Sequence, residues 1–226
     1  MWSTHPDGPL HLRGLQGVGS SVADKQMAVF GVARTLADSQ PSSARVIVES
    51  TQTGWWYLAP IAKGRCVCML VTDPRAHIAS GRSLDEWWNL ALQETTQVRR
   101  RYSDEGRVDA LRVRSALSRR LGALHGPGWV AIGDAAMTFD PLSSRGIAKA
   151  IDEGTAIAAA IGSHFEGDNS ALEKYAAPAR ARYADYLATR ASYYGLEQRW
   201  PRAQFWHSRQ QRASWGSRKA PTPAPV

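Results

Sequence analysis

A Gly-Asp pair in the second half of the chain is the feature from which chemistry is most directly argued. An apolar run, residues 128–132, leads into Gly133 and Asp134. Glycine lets a ligand approach the backbone without a Cβ in the way. A carboxylate at a strand end can accept hydrogen bonds from sugar hydroxyl groups, as acidic residues do in nucleotide sites. The pair therefore predicts contact with a polar, hydroxyl-bearing ligand.

The residues that follow predict a turn and then a helix. Pro141 is expected to hold the shape of the loop, and Ser144, Gly146 and Ile147 are expected at the helix start. Unpaired N–H groups at such a start favour negative charge. We expect the carboxylate of Asp134 and this helix start to line one cleft. An ordinary strand-turn-helix joint, with Asp134 as a cap, is the structural alternative.

In order and spacing, this segment resembles the second flavin-contacting motif of FAD-dependent monooxygenases and halogenases. The resemblance implies that FAD is the cofactor and that the carboxylate binds its ribityl and pyrophosphate region. It also implies backbone contact near the flavin ring from the helix start. The implied cofactor-binding residues are Gly133, Asp134, Pro141, Ser144, Gly146 and Ile147.

A partial match to the halogenase signature Trp-x-Trp-x-Ile-Pro lies in Trp55-Trp56-Tyr57-Leu58-Ala59-Pro60. Tyr57 replaces the second Trp and Ala59 replaces Ile, while Arg145 stands where halogenases carry Thr. The resemblance implies that Trp55, Trp56 and Tyr57 line the substrate side. Without it, the run is typical of a half-buried sheet face with an edge proline.

The C-terminal region adds a third similarity. The run Glu197-Gln198-Arg199-Trp200-Pro201 resembles the end of halogenase-like flavoproteins that act in the maturation of quinone-cofactor enzymes. A docking segment without chemistry is the alternative. Together the similarities cover about residues 25 to 210.

One expected motif is missing, because no Gly-x-Gly-x-x-Gly follows a strand near the N-terminus. The chain is therefore interpreted as the truncated C-terminal part of an FAD-dependent monooxygenase or halogenase-like oxidoreductase, with impaired or partner-dependent flavin binding. A misassigned start codon, a partner chain that supplies the N-terminal FAD-binding half, and a degenerate remnant are the three explanations. The alternative function is a non-catalytic interaction module. Whether the chain is an enzyme stays open, and no catalytic residue is assigned.

Hydrophobic periodicity predicts an α+β fold. An antiparallel meander is expected from strands at 27–33, 45–50, 54–61 and 65–73. Ser83 and Glu86 form a capping box for a helix to about Arg101, residues 108–127 are ambiguous, and two helices are expected after residue 143. The predicted domains are an irregular segment at 1–25, an antiparallel sheet and helix substrate-side domain at 26–125, the C-terminal part of an FAD-binding domain at 126–198, and a basic aromatic tail with a disordered end at 199–226.

The composition indicates a packed core, since 43% of the 226 residues are hydrophobic and nine are Trp. The formal charge of +8 is typical of a solvated surface or of attraction for phosphates or an acidic partner. Arg99, Arg100 and Arg101 suit a helix C-terminus, with contact to an acidic partner as the alternative. No nucleic-acid-binding motif accompanies the charge, so we expect no nucleic-acid partner. The substrate is expected to be a small molecule or a protein residue.

Cys66 and Cys68 are predicted to be buried free thiols on one strand face, which favours a reducing cytoplasm. The six His residues are scattered without metal-ligand spacing, so no metal site is expected. Neither a signal peptide nor a membrane span is predicted.

Overall fold

The computed structural model of the chain describes residues 18–34, 45–62, 64–101 and 108–210. Within them the fold is α+β with antiparallel sheets, as predicted. Backbone contacts divide the chain into two compact units. We call Lys25–Ala116 with Arg199–Trp206 the sheet unit, and Met1–Asp24, Leu117–Gln198 and His207–Val226 the helical unit. Much of the predicted irregular N-terminus and the predicted disordered end, residues 1–17 and 211–226, lie outside the described residues.

The described strands are β1 (Ser20–Val22), β2 (Met27–Arg34), β3 (Ile47–Thr51), β4 (Gly54–Ala62), β5 (Arg65–Thr72), β6 (Arg112–Ser115), β7 (Arg119–Leu121), β8 (His125–Gly126), β9 (Trp129–Val130) and β10 (Met137–Thr138). The described helices are α1 (Pro74–Ser80), α2 (Leu84–Gln93), α3 (Gln97–Arg101), α4 (Gly133–Ala136), α5 (Gly146–Phe165), α6 (Ala171–Gly195) and α7 (Gln204–Gln210). No helix among the described residues is long and apolar enough to cross a bilayer.

The sheet unit contains a five-stranded antiparallel sheet with the strand order β3-β4-β5-β2-β6. The meander prediction holds for β3, β4 and β5 only, because β2 pairs with β5 and not with β3. The ambiguous region provides β6, which pairs with the other edge of β2.

One face of this sheet packs on helices, and its core contains Trp56, Leu70 and Trp88. The rings of Trp56 and Trp88 meet edge to face at 4.7 Å. Cys66 and Cys68 are free and buried in the same core, as predicted, and burial raises the pKa of both thiols. Side chains alternate along each strand, so the neighbours of these core residues point away from this core. We call the surface that they form, which includes Phe30, Tyr57 and Met69, the second face.

The predicted capping box begins α2, since Ser83 accepts from the N–H of Glu86 and its own N–H donates to the Glu86 carboxylate. The helix ends at Gln93 and not near Arg101. A new helix, α3, starts because the carboxylate of Glu49 accepts the N–H groups of Thr96, Gln97 and Val98 at 2.6–2.9 Å. A charge on a neighbouring strand thus fixes a helix boundary.

The helical unit combines a three-stranded sheet of the order β1-β7-β10, the hairpin β8-β9 and the helices α4, α5 and α6. Its apolar cluster includes Leu124, Met137, Ile157, Ala176 and Tyr183. This unit contains the Gly-Asp segment and the helix that follows it.

Candidate functional site

The Gly-Asp pair lies in a helical turn and not at the tip of a strand. β9 ends at Val130, and α4 begins at Gly133. Gly133 adopts a φ of +57°, a left-handed conformation that favours glycine and turns the chain out of its extended path. The predicted strand end at Asp134 is therefore wrong in its local geometry, and Asp134 occupies the first turn of α4 with an exposed side chain.

Two buried charges of α5 hold the start of this turn. The Glu153 carboxylate accepts the N–H of Gly133 at 2.7 Å and lies 3.5 Å from the Lys149 ammonium. The guanidinium of Arg182 lies 3.8 Å from the other oxygen of Glu153. Burial lowers the pKa of Lys149, although the Glu153 and Asp134 carboxylates oppose the shift. The sequence analysis missed this pair, for which the i, i+4 spacing of opposite charges in an apolar helix was a signal.

Asp140 fixes the next part of the segment from inside the unit. One of its carboxylate oxygens accepts the N–H of Leu142 at 2.9 Å, and the other accepts from Arg190 at 2.9 Å and Tyr194 at 2.7 Å. Its own N–H donates to the hydroxyl of Tyr186 at 2.6 Å. The chain is thus held at residue 140, one residue before Pro141, by three side chains of α6.

Arg190 also pairs with a second buried carboxylate, that of Asp24. Burial raises the pKa of Asp24 even though the Arg190 guanidinium opposes the shift. Burial acts to lower the pKa of Arg190, but the carboxylates of Asp24 and Asp140 outweigh it and raise that pKa. Sequence reasoning missed this cluster, although Tyr186, Arg190 and Tyr194 recur at the four-residue spacing of one helix face.

The start of α5 is exposed and lacks a side-chain cap. Pro141 opens a 3₁₀ turn, Ser144 follows with a φ of +51°, and α5 begins at Gly146. The preceding residue, Arg145, makes no side-chain capping hydrogen bond, and the first turn contains no acidic residue. The positive end of a 20-residue helix dipole is therefore uncompensated by this helix's own side chains.

The structure brings the two halves of the motif together. A Cβ built on Gly133 would lie 3.9 Å from the Cβ of Ala150, so the start of α4 lies against the first turns of α5. We expected a cleft here, but Asp134, Gly146 and Ile147 are exposed, and 80% of the Ile147 surface is accessible. This surface faces solvent in the described chain.

The three aromatic residues of the expected substrate side do not share one surface. Trp56 is fully buried on the helix-packed face, whereas Trp55 and Tyr57 belong to the second face. Trp55 is buried as well, and Tyr57 is half-buried. Contact of these residues with a substrate stays a prediction. Tyr57 is the most accessible of the three.

The donors and acceptors of this segment suit one end of a flavin nucleotide. An uncapped helix start can face an electron-rich ring edge, and an exposed carboxylate can accept from hydroxyl groups. Among the described residues, no group of three or more His, Cys, Asp or Glu side chains is placed to hold a metal ion. The fold is shared with solved structures of flavin-dependent halogenases.

Two solved structures illustrate this likeness. The myxobacterial chondrochloren halogenase CndH matches with a TM-score of 0.76 and 19% identity over 91% of this chain and 51% of its own. The peptidyl tryptophan dihydroxylase QhpG, essential for tryptophylquinone cofactor biogenesis, matches with a TM-score of 0.70 and 22% identity over 84% of this chain and 44% of its own. These similarities confirm the predicted resemblance at the level of the fold.

Two curated proteins are similar in sequence. LodB of Marinomonas mediterranea, provisionally named an FAD-dependent oxidoreductase, is 29% identical over 163 residues, which are 72% of this chain and 43% of LodB. A brominase of 1H-pyrrole-2-carbonyl-[peptidyl-carrier protein] from Pseudoalteromonas luteoviolacea is 26% identical over 136 residues, 60% of this chain and 34% of its own. No protein-family model matches the sequence. The chain spans less than half the length of these relatives.

Proposed function

We propose that the chain is the C-terminal part of an FAD-dependent oxidoreductase of the monooxygenase or halogenase-like type. Its relatives are FAD-dependent oxidoreductases and flavin-dependent halogenases, which supports FAD as the cofactor. When bound, FAD supplies the redox chemistry. The residues of this chain bind the cofactor, orient it and shield one side of it from water.

Each residue of the Gly-Asp segment has a role in this proposal. Asp134 accepts hydrogen bonds from the ribityl hydroxyls, and Gly133 allows the backbone to approach. Pro141 and Ser144 fix the path of the loop, and the N–H groups of Gly146 and Ile147 face the flavin ring. The support is that Asp134 and the helix start are both exposed, while Glu153 and Asp140 hold the loop from the buried side.

The observation that carries the proposal is the inverted burial of α5. Its buried residues are Lys149, Glu153 and Ile157, whereas Ile151 keeps 65% of its surface accessible. Small residues recur every fourth position beside the exposed isoleucines: Gly146, Ala150, Gly154, Ala158 and Gly162. An apolar helix face of this kind is typical of one that packs against other protein. We infer that the N-terminal FAD-binding half covers it, supplied by a partner chain or by a longer form of this chain.

The substrate side is proposed to lie on the sheet unit, with Trp55 and Tyr57 near the substrate. CndH is named as a halogenase, whereas QhpG is a dihydroxylase of peptidyl tryptophan, and the brominase acts on a group carried by a peptidyl carrier protein. We propose a substrate attached to a polypeptide on this basis, with a small molecule as the alternative.

A non-catalytic interaction module is the second candidate, and the exposed apolar face of α5 also favours it.

Titration of the purified chain with FAD, monitored by the quenching of flavin fluorescence, distinguishes the two candidate functions. The flavoprotein proposal expects weak but saturable quenching. In Asp134→Asn the affinity should fall about tenfold, because a charged hydrogen-bond acceptor is lost. Asp152→Asn, which changes an exposed carboxylate of α5, is the matched control and should bind as the wild type does. Equal losses in both variants would favour the module, because the quenching would then not depend on the carboxylate of Asp134.

A further inference from the structure

The part of the second face around Phe30 joins an apolar centre to a border of arginines, whereas Ala28, Trp55 and Val71 on the same face are buried. Register places Arg112 beside Phe30, Phe30 beside Met69, and Met69 beside Tyr57, which makes one row across four strands. At neighbouring-strand spacing this row is about 14 Å long. Its three apolar members are half-buried, and Arg112 at its end is exposed.

The arginines of this face cluster on its β5-β2-β6 side. Arg114 stands beside Ala28, two residues along β6 from Arg112, and Arg34 stands directly opposite Arg65. All four arginines are exposed. Among the strand residues that the structure describes, no Asp or Glu shares this face, and the loop residue Asp109 reaches only Arg65, at 3.5 Å.

The pairing of Arg34 with Arg65 is unfavourable by itself. Like charges directly opposite each other on neighbouring strands destabilise a sheet. Arginines on an edge strand such as β6 can discourage strand-to-strand aggregation. That role does not explain Arg34 and Arg65, because β2 and β5 are interior strands. The carboxylate of Asp109 offsets part of this repulsion at Arg65, and an anionic ligand would relieve the remainder.

We propose that this arginine-bordered second face is a docking surface for an acidic polypeptide. Protein interfaces combine an apolar centre with a polar rim, and arginine forks bind carboxylates in a bidentate manner. A nucleic acid fits less well, because the cations border an apolar surface and do not form a continuous basic stripe. The arginines at the end of α3 lie elsewhere, because Val98 of this helix packs into the core on the opposite face of the sheet. Tyr57 of this face also belongs to the proposed substrate side, so the proposal rests in part on the proposed function, but peptide binding can be measured without flavin.

The test uses the full chain and a short fluorescein-labelled peptide in which Glu alternates with Val, with binding followed by fluorescence anisotropy. The wild-type chain should bind this peptide, bind it less well at high salt, and not bind a matched peptide with Lys in place of Glu. The double variant Arg112→Glu/Arg114→Glu should weaken binding about tenfold or more. Arg99→Glu/Arg100→Glu carries the same change in net charge away from this face and should weaken it far less.

Arg34→Glu provides a variant in which stability and peptide binding are expected to change in opposite directions. It replaces a like-charge pair with an attractive Glu-Arg pair, so its melting temperature should rise while its affinity for the acidic peptide falls. Equal losses in the Arg99/Arg100 and Arg112/Arg114 variants would overturn the proposal, since they would indicate a general charge effect. So would the absence of peptide binding at low salt. Tighter binding of a single-stranded oligonucleotide through the same arginines would assign the face to nucleic acid instead.

Discussion

The sheet unit and the helical unit bury different kinds of residue. In the sheet unit, the helix-packed face buries Trp56, Leu70 and Trp88, and alternate positions point the other way. In the helical unit, α5 buries Lys149 and Glu153 while its isoleucines near the start remain exposed. The sheet unit buries its apolar residues, as expected, whereas the first half of α5 buries charged residues and exposes apolar ones.

In the proposed flavoprotein, this contrast indicates which surface would contact other protein. A buried charge is costly unless it is paired. The carboxylate of Glu153 is paired with Lys149, and it accepts the N–H of Gly133. An exposed apolar helix face is costly in water and becomes favourable only when covered. In the proposed flavoprotein, polar groups inside α5 shape the loop and apolar groups outside it bind the missing half.

The largest expected effect comes from breaking the polar interior of the helical unit. Arg190→Met removes the guanidinium that pairs with the buried carboxylates of both Asp24 and Asp140, and should lower the free energy of unfolding by about 3–5 kcal/mol. Urea-induced unfolding followed by circular dichroism measures this change. Arg190→Lys should recover part of it, because lysine keeps the charge but not the forked geometry.

A matched control uses an arginine of the same helix. Arg180 pairs with Glu173, and both side chains are partly exposed, so Arg180→Met should cost about 0–1 kcal/mol. A neutral or stabilising Arg190→Met would contradict the view that the buried charges hold this unit together. The buried charges of the helical unit would then contribute little to its free energy of unfolding.

Features of the fold could be predicted where they depend on residues close together in the sequence. The capping box at Ser83, four strands of the sheet unit and the burial of Cys66 and Cys68 follow from spacing along the chain, and the structure confirms them. The end of α2 was missed because the deciding group, Glu49, lies on a strand distant in sequence. Local patterns cannot report such a contact.

The candidate site shows the same limit. The order of Gly133, Asp134 and Pro141 pointed to one functional segment, and the loop is indeed brought against α5. The buried ion pairs that hold this loop were not predicted, because their members, such as Asp24 and Arg190, are separated by most of the chain. Buried ion pairs between distant residues leave no periodic trace in one sequence. The FAD-contact and substrate-contact residues stay predictions.

A smaller effect should appear in the pH dependence of stability. Because burial lowers the pKa of Lys149, the folded chain binds fewer protons than the unfolded chain below the ordinary lysine value of 10.5. The contribution of Lys149 to the free energy of unfolding should therefore rise with pH through that range. Above about pH 10 the trend should reverse, since burial raises the pKa of Tyr175 and Tyr183 to about 12 and the unfolded tyrosines ionise first.

Melting temperatures measured across this range test the assignment. Lys149→Met should remove the rise, while Lys174→Met, an exposed lysine paired with Asp168, should keep it. If both variants kept the same slope as the wild type, Lys149 would be better solvated than its position indicates. The polar interior of α5 would then be less distinct from an ordinary surface.

The smallest expected effect concerns the outer face of α5. Ile151→Ser should change the free energy of unfolding by no more than about 0.5 kcal/mol, because the side chain is largely exposed. Ile157→Ser, at a buried position six residues further along α5, should cost several times more. Sedimentation velocity should also show less self-association for Ile151→Ser, since apolar surface is removed. A large loss of stability at Ile151 would mean that this face is already covered in solution. That outcome would leave the helix no free apolar surface for the FAD-binding half, and the contrast between the two units would have to be explained without a missing partner.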